Sequence, residues 1–353
     1  MSFPVVARPK PCLVSVKAGR MYFWCACGRS ATQPFCDGSH RGTGFSPVKF
    51  VAGPEDDELL FCGCKNTRTP PFCDGAHTNL PGGSPLDDPL SPTNSKIPTV
   101  TERDGPRLWL DGGCYVFSTR LAATQTRGTL RSCHMVSAQT GALHQTQILL
   151  EVAAGASPVF SFGPRDVILF IGEGAGSVTI CGRPFPVRAT DGVYIRPSEA
   201  IQLTPLDGQP FKVFALASPL GDIEWLDAMP THFDSTCAQR VVSVDPAQRT
   251  AMGQRYFQLL VDKRIGSRVI TQFIGHIPQS KAAPHRHLYE EAIIVLSGEG
   301  FMWTEDRKAA VAAGDVIFLP RKQVHSLEAT SAEGIDVVGV ICPGDNPSIN
   351  YYD

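Results

Sequence analysis

Two stretches of the chain carry the same constellation of potential ligands. Residues 25–40 read CACGRSATQPFCDGSH and residues 62–77 read CGCKNTRTPPFCDGAH. In each, one residue separates the first two cysteines, eight precede the third, and three more precede a histidine. Three thiols and an imidazole at fixed spacing, made twice, point to a metal or iron–sulfur site rather than to disulfides. A three-cysteine, one-histidine set also serves structural zinc, but zinc knuckles favour gaps of about two to four residues, which the eight-residue loop does not follow. Far downstream a second constellation reads PHRHLYEEAIIVLSGEG, then GDVIFLPRKQVHSLE. His285 and His287 are two apart, so on a strand they share a face, and the even offset to Glu291 keeps that face if the strand continues. His325 follows a further strand and a proline-led turn. Three imidazoles and a carboxylate make a mixed nitrogen and oxygen site for a divalent transition metal.

The chain as a whole suits such chemistry. Its 353 residues allow two or three domains, and 42% apolar with 19% charged residues fits a globular protein with a sizeable core. The net charge of −2, with no basic block, disfavours nucleic acid and anionic membranes as partners. No apolar run is long enough to span a bilayer, and the start, MSFPVVARPKPC, lacks the apolar stretch of a secretory signal, so a cytoplasmic location is expected. The remaining cysteines (Cys12, Cys114, Cys133, Cys181, Cys237 and Cys342) are scattered and read as buried small apolar side chains or inert thiols.

Local pattern says what must hold these ligands. Short alternating segments precede each cysteine motif, and the motifs themselves, rich in Gly, Pro, Ser and Asp, read as loops. A unit over 1–80 has little room for a core and is expected to depend on its metal. Residues 81–100, dominated by Pro, Gly, Ser and Asp, read as an extended linker. From 101 onward, short apolar runs between Gly and Pro turns predict an all-β architecture in two halves, 101–230 and 231–353. The halves repeat one another: VILFIGEG at 167–174 matches IIVLSGEG at 293–300, and DGVYIRP at 191–197 matches AGDVIFLP at 313–320.

The repeated cysteine pattern resembles the CDGSH, or NEET, iron–sulfur domain, and two copies in one chain are similar to its tandem-motif branch of the mitochondrial inner NEET type. That resemblance implies one [2Fe–2S] cluster per motif. The implied ligands are Cys25, Cys27, Cys36 and His40, then Cys62, Cys64, Cys73 and His77, with Ala76 standing where the name motif has Ser. The downstream constellation resembles the cupin superfamily: His285, His287, Glu291 and Gly298 match its first motif, and Gly314, Pro320 and His325 its second. Lys322 replaces the usual glycine of the second motif, and Gly275 lies further before the first histidine than the pattern has it. The fold implied is mainly β, with two jelly-roll barrels preceded by a small tandem-motif CDGSH domain. Val159, Ser161, Arg165 and Gln202 align with the four ligand positions in the first half, so its barrel is expected to lack a metal. Glu290 is expected in solvent on the opposite strand face, Tyr289 and Trp303 are more often core than substrate contacts, and Lys322 is a candidate for an acidic substrate.

Electron-carrying clusters fused to a mononuclear metal site narrow the useful mechanisms. Iron(II) at the cupin histidines, fed by the clusters from an external reductase or ferredoxin-like donor, would make a cupin-type non-haem iron oxygenase or dioxygenase acting with O2 on a small molecule. The alternative is a redox or pH sensor, or a cluster donor, with the bicupin as an oligomerisation or ligand-binding module. A homodimer is compatible with either.

Overall fold

The computed structural model describes residues 3–81, 85–206 and 209–350. Antiparallel strands joined by tight turns and short 3-10 segments make up its regular structure, as the punctuated apolar runs predict. Among the described residues no helix is long and apolar enough to cross a membrane.

In the N-terminal unit, strand Cys12–Val16 pairs with Asp57–Phe61, and Met21–Trp24 pairs with Val48–Val51. Each cysteine motif then loops back onto the strand that leads into it. The Cys25 N–H donates to Pro34 O at 2.9 Å and the Cys36 N–H to Phe23 O at 2.8 Å. The second copy repeats this with Cys62 on Pro71 O and Cys73 on Leu60 O, both at 2.9 Å. The eight-residue spacing is therefore the length of loop that returns the third cysteine to the first two. Asp37 accepts the Ala31 N–H at 2.8 Å, and Asp74 the Arg68 N–H at 2.9 Å, so the aspartate after the third cysteine ties each loop. The unit has more core than its size suggests. Phe61 packs against Phe35, Phe50 and Phe72 with ring centroids 5.2–5.7 Å apart, in edge or tilted geometry.

Two β-barrels follow, each a large sheet facing a five-stranded one. The two large sheets also pack against each other. Ile168, Phe170, Phe214 and Leu216 of the first interleave with Phe117, Ile294, Phe318 and Val338 of the second in one buried cluster. A sheet covered on both faces needs apolar residues at consecutive positions, which is why Asp166–Glu173 and Glu290–Ser297 read as continuous runs.

The expected boundaries shift. Arg107–Trp109 and Tyr115–Ser118 do not join the first barrel: Tyr115–Ser118 pairs with Asp315–Leu319, and both strands end the eight-stranded sheet of the second barrel. Reciprocally, Val241–Val242 pairs with Gly192–Ile195 in the first. The stretch expected to be an extended linker is stitched down from residue 85 onward. Leu86–Asp87 pairs with Ser280–Ala282, and Asp87 accepts from the buried Lys281 ammonium at 2.6 Å. That ammonium lies over the Trp303 ring, so leaving it without a carboxylate would strand a buried charge.

Candidate metal centres

The second barrel brings His285, His287 and His325 to one point. His285 and His325 exchange backbone hydrogen bonds at 3.0 and 2.9 Å, which sets their side chains on the same face. His287 lies on the turn between strands, its carbonyl accepting the Lys322 N–H at 2.8 Å. One ligand nitrogen from each lies within 4.8 Å of the others, and all three residues are buried. The tautomers follow from the partners. The Nδ1 of His285 faces Ala283 O at 2.8 Å, that of His287 faces Ile349 O at 3.3 Å, and that of His325 faces Gln323 O at 2.9 Å. A carbonyl only accepts, so each Nδ1 carries the proton and each Nε2 keeps its lone pair for a metal. Glu291 stands beside this trio rather than within it, its Oε2 3.5 Å from His287 Nε2.

Burial decides the charge state of the site. It pushes the His325 imidazolium down to about 4 and those of His285 and His287 well below their ordinary value, with the neighbouring imidazoles adding to the shift. It pushes the Glu291 carboxyl up to about 8. Neutral imidazoles are the form that ligates, and a divalent cation entering this dry site would draw the proton off Glu291. The donor set fits the metal that a cupin implies. The space above it, about 670 Å³ including its mouth, is lined by Arg255, Tyr256, Phe257, Phe273 and Asn350 among others. Sequence reasoning passed over Arg255, which opens an ordinary apolar strand with no motif around it.

Among the described residues the first barrel has no comparable site. Ser161 donates to Glu199 O, Arg165 to Leu220 O and Phe162 O, and Gln202 to Ser157 O, so three of the four aligned positions are spent on backbone, and Val159 has no ligand atom. Phe160, Phe162, Ile201, Leu203 and their neighbours fill the interior. Two further expectations are corrected. Glu290 is buried, not solvated, and accepts the N–H groups of Leu143 and His144 from the first barrel at 2.6 and 3.0 Å. Lys322 does not face the pocket; its ammonium pairs with Glu58 of the N-terminal unit. Tyr289 stacks on the His287 ring at 4.7 Å within an apolar cluster, and Trp303 donates to Glu328 at 2.8 Å, so both are core.

In the N-terminal unit the eight motif residues form four pairs. Cys25 and Cys27 Sγ lie 3.6 Å apart and Cys36 Sγ lies 3.1 Å from His40 Nδ1. Cys62 and Cys64 are again 3.6 Å apart, and Cys73 Sγ is 3.3 Å from His77 Nδ1. Among the described residues, only the cupin histidines form a group of three or more His, Cys, Asp or Glu ligands that closes within 4.8 Å. A single tetrahedral zinc needs all four donors around one point, whereas a two-iron cluster takes one pair per iron. The donors fit the cluster.

The two motifs differ in their surroundings. Cys36 and His40 are half-buried, whereas Cys73 and His77 are buried, with the segment 344–350 against the Cys73–Gly75 loop and strand Thr250–Met252 against the turn that holds His77. Asn346 Nδ2 donates to Asp74 O at 2.7 Å. A side chain on Gly75 would strike the Ser348 hydroxyl at 1.8 Å, so this close approach requires glycine. With dithionite present, a ferrous chelator is accordingly expected to strip cluster iron, followed by loss of cluster absorbance, in two kinetic phases, with Cys36→Ser removing the fast one. A single phase in the wild-type chain would contradict the difference in cover.

Fold and sites together define a cupin double barrel preceded by a CDGSH-type iron–sulfur domain. The family model described as "Cupin domain" matches residues 275–341, and that described as "Iron-binding zinc finger CDGSH type" matches residues 3–41. Over 51 residues the chain is 57% identical to the CDGSH iron-sulfur domain-containing protein 3, mitochondrial, of Mus musculus; the match spans 14% of this chain and only 37% of that protein. Among solved structures, a Lactobacillus farciminis oxalate decarboxylase in a formate complex superposes with a TM-score of 0.51 at 14% identity, covering 65% of this chain and 86% of its own. Procruciferin, an 11S globulin of Brassica napus, does so with a TM-score of 0.51 at 12% identity, covering 64% and 84%. An enzyme and a globulin match equally well, so the likeness is one of fold alone.

Proposed function

We propose that this chain is an iron–sulfur cupin oxidoreductase of the cytoplasm. In this reading two [2Fe–2S] clusters pass electrons from an external reductase or ferredoxin-like donor toward a mononuclear iron(II) at His285, His287, Glu291 and His325. There O2 is used on a small-molecule substrate. The observation that carries the reading is the segment 344–350. Its Asn346 holds the loop of Cys73 and His77, and its Ile349 carbonyl accepts from His287, a cupin ligand. When bound, the clusters supply single electrons and the iron supplies open positions for O2 chemistry.

The chain's own groups do the rest. Three Nδ1–H···O=C contacts hold the imidazoles with Nε2 inward, so no reorganisation is needed on loading. Phe257, Phe273, Ile277, Ile293, Leu327 and Val337 line the pocket and keep water sparse. Arg255 lines the same pocket, close enough to His285 for its charge to lower that imidazole's basicity. A guanidinium there favours a substrate carrying a carboxylate, which it would orient over the metal.

The test is anaerobic reduction with dithionite, removal of excess reductant, and mixing with O2 and candidate carboxylate substrates. Cluster reoxidation is expected to be faster in the wild-type chain than in His285→Ala. Equal rates would sink electron delivery to the cupin. They would leave the second reading, a cluster donor or sensor, which the half-buried Cys36 and His40 favour.

A further inference from the structure

Lys65 follows Cys64 in the second motif, at the position that Gly28 occupies in the first. Both backbones are left-handed there, with φ of +78° at Gly28 and +65° at Lys65. Glycine adopts this conformation without cost, whereas a lysine does so at about 1 kcal/mol or more. At Gly28 a side chain is excluded, since a Cβ would meet Val5 O at 1.8 Å. At position 65 the chain carries a side chain in spite of the strain and buries it, leaving 5% of the residue exposed.

The ammonium of Lys65 ends between the two iron–sulfur sites. It donates to the Cys62 carbonyl at 3.0 Å and lies 4.6 Å from the centroid of the Trp24 ring. Trp24 precedes Cys25 in the first motif, and its indole N–H donates to the same Cys62 carbonyl at 2.9 Å. Burial works against the ammonium, and the thiols of Cys25, Cys12, Cys62 and Cys64 work for it. No carboxylate is among these partners.

We propose that Lys65 is a positioning residue for redox, a buried cation shared by both iron–sulfur sites that sets their reduction potentials. The proposal rests on the reading that both motifs hold clusters. Reduction of a cluster adds one electron, here taken from dithionite, and so one unit of negative charge with no bond made or broken. A fixed positive charge held against the backbone of the ligand Cys62, in a medium of intermediate dielectric, stabilises that added charge. Its contacts with Cys62 and with Trp24 place it to act on both sites, more strongly on the second.

The experiment is a dithionite redox titration followed by electron paramagnetic resonance, on chains reduced to one cluster by Cys36→Ser or Cys73→Ser. Each is compared with the same chain carrying Lys65→Gly or Lys65→Arg. Glycine suits the left-handed backbone, so Lys65→Gly is expected to fold and to load iron fully. At a given potential its ratio of reduced to oxidised cluster is expected to fall about tenfold at the second motif and by less at the first. Lys65→Arg, which keeps the charge, is expected to restore both. Unchanged potentials in a fully loaded Lys65→Gly chain overturn the proposal, as does Lys65→Arg behaving like Lys65→Gly. A wild-type chain lacking cluster absorbance overturns the cofactor reading itself, and the proposal with it.

Discussion

Metal analysis of His325→Ala is expected to return about four irons per chain and no further transition metal, where the wild-type chain returns about five metals. The imidazole of His325 is central to the trio, with ring centroids 4.6 Å from His285 and 4.9 Å from His287. Removing it leaves two neutral nitrogens and a carboxyl that burial holds protonated near neutral pH. Altering a group that merely orients a metal ligand costs about 10–100-fold in affinity, and loss of a ligand from so dry a site exceeds that. The strand pairing at this point runs through the backbone of His285 and His325, so the fold is expected to survive and the four cluster irons with it. Retention of the fifth metal by His325→Ala would show that the trio is not its site. Loss of all iron would show that the two centres are not separable.

Arg240→Met is expected to destabilise the chain by about 3–5 kcal/mol, read as a fall in the urea midpoint without a change in slope. The Arg240 side chain is fully buried and meets both oxygens of Glu199 at 2.5 and 2.7 Å. It also donates to the carbonyls of Cys237, Tyr194 and Asp234. These bonds fasten the crossing from one barrel to the next onto the strand Gly192–Ile195 of the first. With methionine the Glu199 charge stays buried with only the N–H groups of Arg196 and Asp234 to meet it. Adding Glu199→Gln is expected to recover part of the loss, since the stranded charge is then gone. A loss under about 1 kcal/mol would place this pair among the weak ones.

Much of both sites is legible in the chain. Cys-x-Cys, an eight-residue loop and Cys-Asp-Gly specify a closed turn because the returning hydrogen bonds join residues within about a dozen positions. Strand alternation suggested one face for His285, His287 and Glu291, but the chain leaves extended pairing at His287 and bends at 288–289 before strand Glu290–Ser297, so the rule does not carry through to Glu291. The same alternation placed Glu290 opposite Glu291 but in the wrong medium. The other face of that strand packs on the first barrel, so the carboxylate meets two backbone N–H groups instead of water. A clue was present in the unbroken run AIIVL at 292–296, which says that both faces are covered.

Lys322 and Lys65 show a second limit. Each occupies a left-handed position where glycine costs less, and neither side chain's partner is nearby in sequence for the contact that matters. Lys322 reaches Glu58 and Lys65 reaches the ring of Trp24, contacts that only a folded chain assembles.

By itself, then, the sequence determined which side chains are candidate ligands and much of the local geometry in which the two cysteine loops present them, because such turns depend on near neighbours. It also determined the mainly-β class. Only the tertiary structure decided which strands pair, sending Tyr115–Ser118 to the second barrel and Val241–Val242 to the first. Backbone hydrogen bonds are alike at every residue, so strand partners are chosen by the packing of distant side chains. For the same reason only the fold could lay residues 344–350 between the second cysteine motif and His287.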